Sequence, residues 1–184
     1  MPEVLMVMAL TTMVAANGWQ ALTALRDERA GREAARGLVL DLRRVAQDAR
    51  RLQRALAVEF DAAGSGSIRV LADGNGNGVT SADIAAGTDA PLQAWRPAFR
   101  EGRAALRINR VLPDSDGLGT LPAGSTPVRL GIQSRLHFTP RGTGNAGSLY
   151  LTGPRGHAYA IRVLGSTQRI RVLCLGAADT WDGC

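Results

Sequence analysis

The longest uninterrupted pattern in the chain is apolar. After Glu3 no charged residue occurs until Arg26, and residues 4–25 are mostly Val, Leu, Met and Ala. At about 1.5 Å per residue a helix over this run covers about 33 Å, against a hydrocarbon core of about 30 Å. The run therefore predicts a membrane-spanning helix, with Trp19 suited to the outer interface. A cleaved secretory signal would need a basic stretch before the run and a small-x-small site after it, and neither is present. A buried helix of a soluble core is the third reading. Glu3 stands out, because a carboxylate at the mouth of an apolar helix is costly unless it meets a cation or a free amino terminus.

The helical period continues past the apolar run. Leu38, Leu42, Val45, Ala49, Leu52 and Leu56 step by threes and fours onto one face, while Arg43, Arg44, Asp48, Arg50, Arg51 and Arg54 occupy the other. Between the two halves, residues 26–33 are mixed in sign and offer i,i+4 pairs such as Glu28 with Arg32. The pattern predicts one helix of roughly fifty residues, which a special context must support and which Gly18, Gly31 or Gly37 could loosen. This divides the chain into a transmembrane half-helix (1–25), an amphipathic half-helix (26–56) and a β-rich head (57–184).

Alternation takes over in the head. Residues 57–61 and 67–71 flank Gly64, Ser65 and Gly66 as a hairpin would. Further strand-like runs are 104–112, 128–132, 135–139, 148–152, 158–164 and 169–174, the last four reading as an antiparallel meander with one face on the core. Residues 112–127, rich in Pro, Gly and Asp, form a long loop. The fold class expected is α+β.

An apolar helix headed by Pro2-Glu3 and continued by an amphipathic helix into a small β-rich domain resembles the type IV pilins and the type II secretion pseudopilins. The ending resembles the GspH/FimT group of minor subunits: Phe138, Pro140 and Gly142 match a Phe-x-Pro-x-Gly strand and turn, Gly147 with Leu149 to Leu151 a Gly-x-hydrophobic strand, and Arg169-Ile170-Arg171 a final Gly-Arg-x-Arg-like strand in which Gln168 replaces Gly. The resemblance implies a pilin-like fold and a non-enzymatic minor pseudopilin, anchored in the inner membrane by a single pass with its head in the periplasm. It implies helix packing with other pilins or pseudopilins, initiation or capping of a short pilus that supports protein secretion, and no small-molecule substrate. Glu3 takes the place of the family's assembly glutamate. Met1 then stands at the third mature position, with the leader and the first mature residues preceding it. The alternative within the family is a FimT-like subunit of a type IV pilus that binds DNA for uptake.

Composition adds three points. The 184 residues are 45% hydrophobic with mean hydropathy −0.04, which excludes disorder, and the roughly 130 residues beyond the helix suffice for one core. All 22 basic residues are arginine, and from Arg129 onward seven arginines meet only Asp179 and Asp182, so most of the net charge of +6 is C-terminal. Arg169 and Arg171, two apart on a strand, share a face that neighbouring phosphates could meet, or else form a solvated outer face.

Cys174 and Cys184 are suited to a disulfide that pins a tail containing Trp181 in an extracytoplasmic domain; unpaired thiols and pairing between chains are the alternatives. Asp73, Asn75 and Asn77, with Gly78 and the later Asp83, resemble a calcium loop, yet Ile84 stands where its closing Glu belongs. A Gly/Asn turn followed by a short helix capped by Ser81 is the plainer reading, and a calcium-stabilised exported module the third functional class. No cofactor other than calcium is suggested. His137 and His157 have no catalytic partner at a recognised spacing, and Trp95 reads as packing or a partner contact.

Overall fold

The computed structural model describes residues 2–61, 66–117, 119–130 and 134–184; its described side chains begin with Met8 and Met13 and run on from Gly18. Helix α1 is a single helix over Pro2–Leu52. It buries Ala35, Leu38, Val39, Leu42, Val45, Ala46 and Ala49, the stripe that the threes and fours require. The helix stops short of the expected position 56. Gln53 turns left-handed at φ 50°, its N–H returns to the Arg50 C=O and that of Arg54 to the Ala49 C=O, which satisfies the last carbonyls. Leu52 is accordingly exposed, and Leu56 starts a strand.

Twelve further elements follow: β1 (Leu56–Phe60), β2 (Ser67–Ala72), α2 (Ser81–Ala85), β3 (Ala90–Pro97), β4 (Leu112–Pro113), β5 (Thr120–Leu121), β6 (Val128–Arg129), β7 (Arg135–Phe138), β8 (Gly147–Thr152), β9 (Ala158–Leu164), β10 (Arg169–Leu175) and β11 (Trp181–Gly183), with a 3-10 turn at Pro154–Gly156 before β9. They form an antiparallel sheet β3-β2-β1-β7, a second antiparallel sheet β11-β10-β9-β8-β6 and the short pair β4-β5. Helix α1 contacts β1 and β7 of one sheet and β9 and β10 of the other. One core joins its stripe to Val58, Phe60, Leu136 and Phe138 on the first sheet and Leu149, Leu151, Ile161 and Ile170 on the second. The α+β class expected from the sequence, a long helix packed on antiparallel sheets, is the one observed.

Two expectations change, and one strand is new. The 135–138 strand pairs with β1, Leu136 opposite Val58, and so leaves the expected meander for the first sheet. Residues 104–111 are not a strand; apart from one bridge between Ala105 and Thr152 their backbone is served singly, the Arg107 C=O by the Thr152 hydroxyl and the Ile108 C=O by the Gly124 N–H. They lie over the second sheet, where Ile108 and Leu112 join Leu121, Tyr150, Ala158 and Ala160 in a separate cluster. Residues 90–97, with Pro91 and Pro97, prove to be an edge strand, a place where missing N–H donors are tolerated. Finally, among the described residues no helix is long and apolar enough to cross a membrane. Most side chains on which the membrane-spanning expectation rested, between 4 and 17, lie outside those described.

Two polar positions, Glu59 half-buried and Gln168 buried, fix the connections. Glu59 sits in register between Arg69 on β2 and Arg135 on β7 and is ion-paired to both. Gln168, in the turn before β10, is left-handed at φ 51° and 8% exposed; it accepts from Arg50 at 3.0 Å and donates to the Thr143 C=O at 2.8 Å. A glycine would adopt this backbone freely, and the glutamine holds it by two hydrogen bonds.

Candidate functional site

The head takes hold of α1 at mid-helix. The Thr23 hydroxyl accepts from Arg155 at 2.7 Å, Arg155 also pairs with Asp27 at 2.8 Å, and the Tyr159 hydroxyl donates to the Glu28 C=O at 2.9 Å. Arg155 reaches this position from a left-handed residue in the 3-10 turn. These are the first described ties between α1 and the head along the chain. Just before and beside them, Trp19 (65% exposed), Leu22 (53%) and Leu25 (53%) stand in solvent, spaced by three so that they fall on one side of the helix. Met8 and Met13 are exposed further out. Large apolar side chains gathered on one face of a helix mark an interaction surface rather than a solvated one. Glu3 lies in the first turn of α1, and its side chain is outside the described ones.

The acidic loop after β2 is closed by its own backbone. Asp73 is 5% exposed, and its Oδ1 accepts from the N–H groups of Asn75 (3.1 Å) and Gly76 (2.8 Å) while Oδ2 accepts from Gly78 (2.9 Å). Asp89, 1% exposed, accepts from the N–H groups of Gly74 and Thr80. The Arg54 guanidinium donates to the Asp73 C=O. Thr80, rather than Ser81, caps α2: its hydroxyl accepts from the Asp83 N–H and donates to the Asp83 carboxylate, which also accepts from Asn77. The Thr80 hydroxyl first and the Asn77 amide second hold the Asp83 carboxyl below the usual carboxylate range. The loop thus brings Asp73, Asn75, Asn77 and Asp83 together, but with the Asp73 oxygens turned to N–H donors. Among the described residues no group of three or more His, Cys, Asp or Glu is arranged to hold a metal. Behind the loop, Val79 and Ile84 cover Ala57 and Leu71 on the back of the first sheet.

A disulfide joins Cys174 and Cys184. It ties down β11, which pairs with β10 from Leu173 to Leu175, and there Trp181 donates its indole N–H to the Pro113 C=O at 2.8 Å and lies 6.0 Å from the Tyr150 ring. Trp95 is 46% exposed on β3 and carries the Arg69 guanidinium over its ring at 4.8 Å.

Arg169 and Arg171 are both exposed on β10, on either side of buried Ile170. The same groove that they line takes in Arg36 and Arg43 from α1, and Arg43 donates to the Ile170 C=O at 3.1 Å. The sequence places Arg43 on the polar face of the helix and does not single out Arg36; both lie more than a hundred residues from β10, and only the packing joins them.

His137, on β7, is partly buried. Desolvation, and secondly the charge of Arg135, push its pKa down, and its backbone N–H donates to the Asn145 side-chain oxygen at 2.7 Å. Asn145 also donates to the C=O groups of Leu130 and Arg135, so it locks the start of β7 to the end of β6. His157 is exposed at the turn before β9.

No family model matches the chain, and no curated protein matches it. Among solved structures it is similar to the minor pseudopilin EpsH of the type 2 secretion system of Vibrio cholerae, at 14% identity over 79% of this chain and 98% of that one, with a TM-score of 0.48. A second structure of that pseudopilin gives 11% identity over 84% and 93%, with a TM-score of 0.43. The type IV minor pilin FimU of Pseudomonas aeruginosa gives 19% identity over 87% and 92%, with a TM-score of 0.37.

Proposed function

We propose that the protein is a non-enzymatic, pilin-like structural subunit, a minor pseudopilin of a type II secretion system, whose projecting helix packs with the helices of like subunits. The observation that carries this reading is the division of α1: one unbroken helix from Pro2 whose described ties to the head begin at Thr23, with Trp19, Leu22 and Leu25 left exposed on one side. Such a helix completes its packing only against another molecule or a lipid phase. In this reading the helix holds the subunit at the inner membrane before assembly, with the head in the periplasm. Glu3 then meets the amino terminus of a neighbour where an unpaired charge is costly. The disulfide fits an oxidising compartment.

The test is co-purification of the tagged full-length protein with its partner subunits from membranes. Trp19→Arg with Leu22→Arg, and separately Glu3→Ala, should leave the melting of the head unchanged and abolish co-purification. Normal incorporation of both variants would refute the reading. Recovery of the wild type in the soluble fraction would remove its membrane part alone.

A second reading, a type IV pilus subunit that binds DNA, draws on the exposed pair Arg169 and Arg171. It requires retention on duplex DNA that falls steeply with salt and is lost in Arg169→Gln/Arg171→Gln.

A further inference from the structure

Seven of the thirteen arginines of the head face a carboxylate: Arg69, Arg96, Arg103, Arg129, Arg135, Arg155 and Arg162 each have one as a partner. Among the described residues Arg36, Arg43, Arg169 and Arg171 have none, and all four line one groove of about 910 Å³ between α1 and the β10–β11 edge. β11 covers β10 only from Leu173 onward, so the first half of β10 borders the groove. Its apolar lining comes from Val39, Ile170 and Val172, with Leu40 55% exposed at the side, and Asp182 is its one acidic residue. Four like charges collected around a single carboxylate repel one another and lower stability. Here they surround an apolar cleft, which a solvated polar face would not need.

We propose that this groove receives an acidic segment of another protein, one that alternates carboxylates with apolar residues. Carboxylates match the planar donor forks of the four guanidinium groups, and the apolar residues cover Leu40 and the lining between them. Single-stranded nucleic acid fits less well: stacking needs a free aromatic face, and the one ring in the groove, Trp181, is committed to Tyr150 and to the Pro113 C=O. The inference concerns a surface shared by the head and the part of α1 packed on it, and does not depend on how residues before Thr23 assemble.

The test uses the full chain in detergent micelles and a fluorescein-labelled peptide of Glu-Glu-Leu repeats, read by anisotropy against the same peptide with Gln for Glu. Saturable binding is expected for the acidic peptide only, weakening with salt. Arg36→Gln/Arg43→Gln and Arg169→Gln/Arg171→Gln should each weaken it about tenfold and Leu40→Ser several-fold, while Arg110→Gln, exposed away from the groove, leaves it unchanged. Arg43 also bonds to β10, so if its variant melts early the Arg169/Arg171 pair decides. Equal binding of the Gln peptide, or an equal loss in Arg110→Gln, would overturn the proposal. So would duplex DNA that competes through Arg169 and Arg171 and is indifferent to Leu40→Ser.

Discussion

The ring of Tyr159 lies where a side chain on Gly31 would begin: a Cβ built there comes within 2.6 Å of the ring, and the phenol hydroxyl reaches the Glu28 C=O one turn earlier at 2.9 Å. Gly31 is therefore a close-packing position that lets the head grip α1, not a point where the helix loosens. A Cβ built on Gly153 would meet the same ring at 2.9 Å and the Gly31 Cα at 3.2 Å, so the two glycines and the ring pack at one point.

This pairing predicts opposite outcomes for two glycines of one helix. Gly31→Ala should lower stability by about 1–2 kcal/mol, because overpacking against a buried ring exceeds the gain in helix propensity. Gly37→Ala meets nothing within 4 Å and should raise stability by up to about 1 kcal/mol. Denaturant melts of the two variants check this, and a Gly31→Ala protein as stable as wild type would show that the ring swings aside at no cost.

Asp73→Ala removes the acceptor of three backbone N–H groups and should cost about 2–4 kcal/mol, since these are charge-assisted bonds in a partly buried loop. Asp73→Asn keeps an acceptor oxygen and should cost about half as much. Because the loop is closed by its own donors, the wild-type Tm should be the same with excess calcium as with EDTA. A calcium-dependent rise in Tm that Asp73→Ala abolishes would instead place a cation among Asp73, Asn75, Asn77 and Asp83.

His137 makes the protein acid-sensitive in a defined window. Its folded pKa lies below its unfolded value of about 6.5, so the unfolded chain takes up the proton first. The stability it contributes is complete above about pH 6.5 and is lost as pH falls toward the folded pKa. Tm should fall as pH drops below about 6.5, and His137→Gln should flatten that part of the profile. Asp83 acts in a separate range: its carboxyl is also held low, and its contribution is lost only as pH falls below about 3.9.

Replacing both Cys174 and Cys184 by Ser should cost about 2–3 kcal/mol, the amount expected for a short closed loop. The loss should free β11, shift the emission of Trp181 and remove one wall of the arginine groove. An unshifted emission spectrum would mean that the Pro113 and Tyr150 contacts hold the tail unaided.

What the sequence reveals here follows from how local each signal is. The helix stripe from Leu38 to Ala49 and the hairpin of β1 and β2 are written in residues a few places apart, and so are β8, β9 and β10. Sheet membership is not: Leu136 and Phe138 alternate in the same way whichever sheet takes them, and only the packing opposite Val58 and Leu56 decides. Residues 104–111 alternate truly, with Leu106 and Ile108 buried, yet their backbone partners are a threonine hydroxyl and a loop N–H that no period announces. At Asp73 the sequence shows the oxygens and not the donors that occupy them. The arginine groove joins residues as far apart as Arg43 and Ile170, 127 positions, and is legible only once α1 is laid on β10.

Gln168 carries a consequence for descent. Its left-handed turn suits glycine, but its side chain also gives Arg50 an acceptor and holds Thr143, so the position is not free to change alone. A lineage that restores glycine at 168 keeps the turn and strands the guanidinium beside Gly142, where Arg50 already fills the space of a side chain. Positions 50 and 168 should therefore mutate as a pair among relatives of this chain, an arginine accompanying the glutamine and a shorter or neutral residue accompanying the glycine.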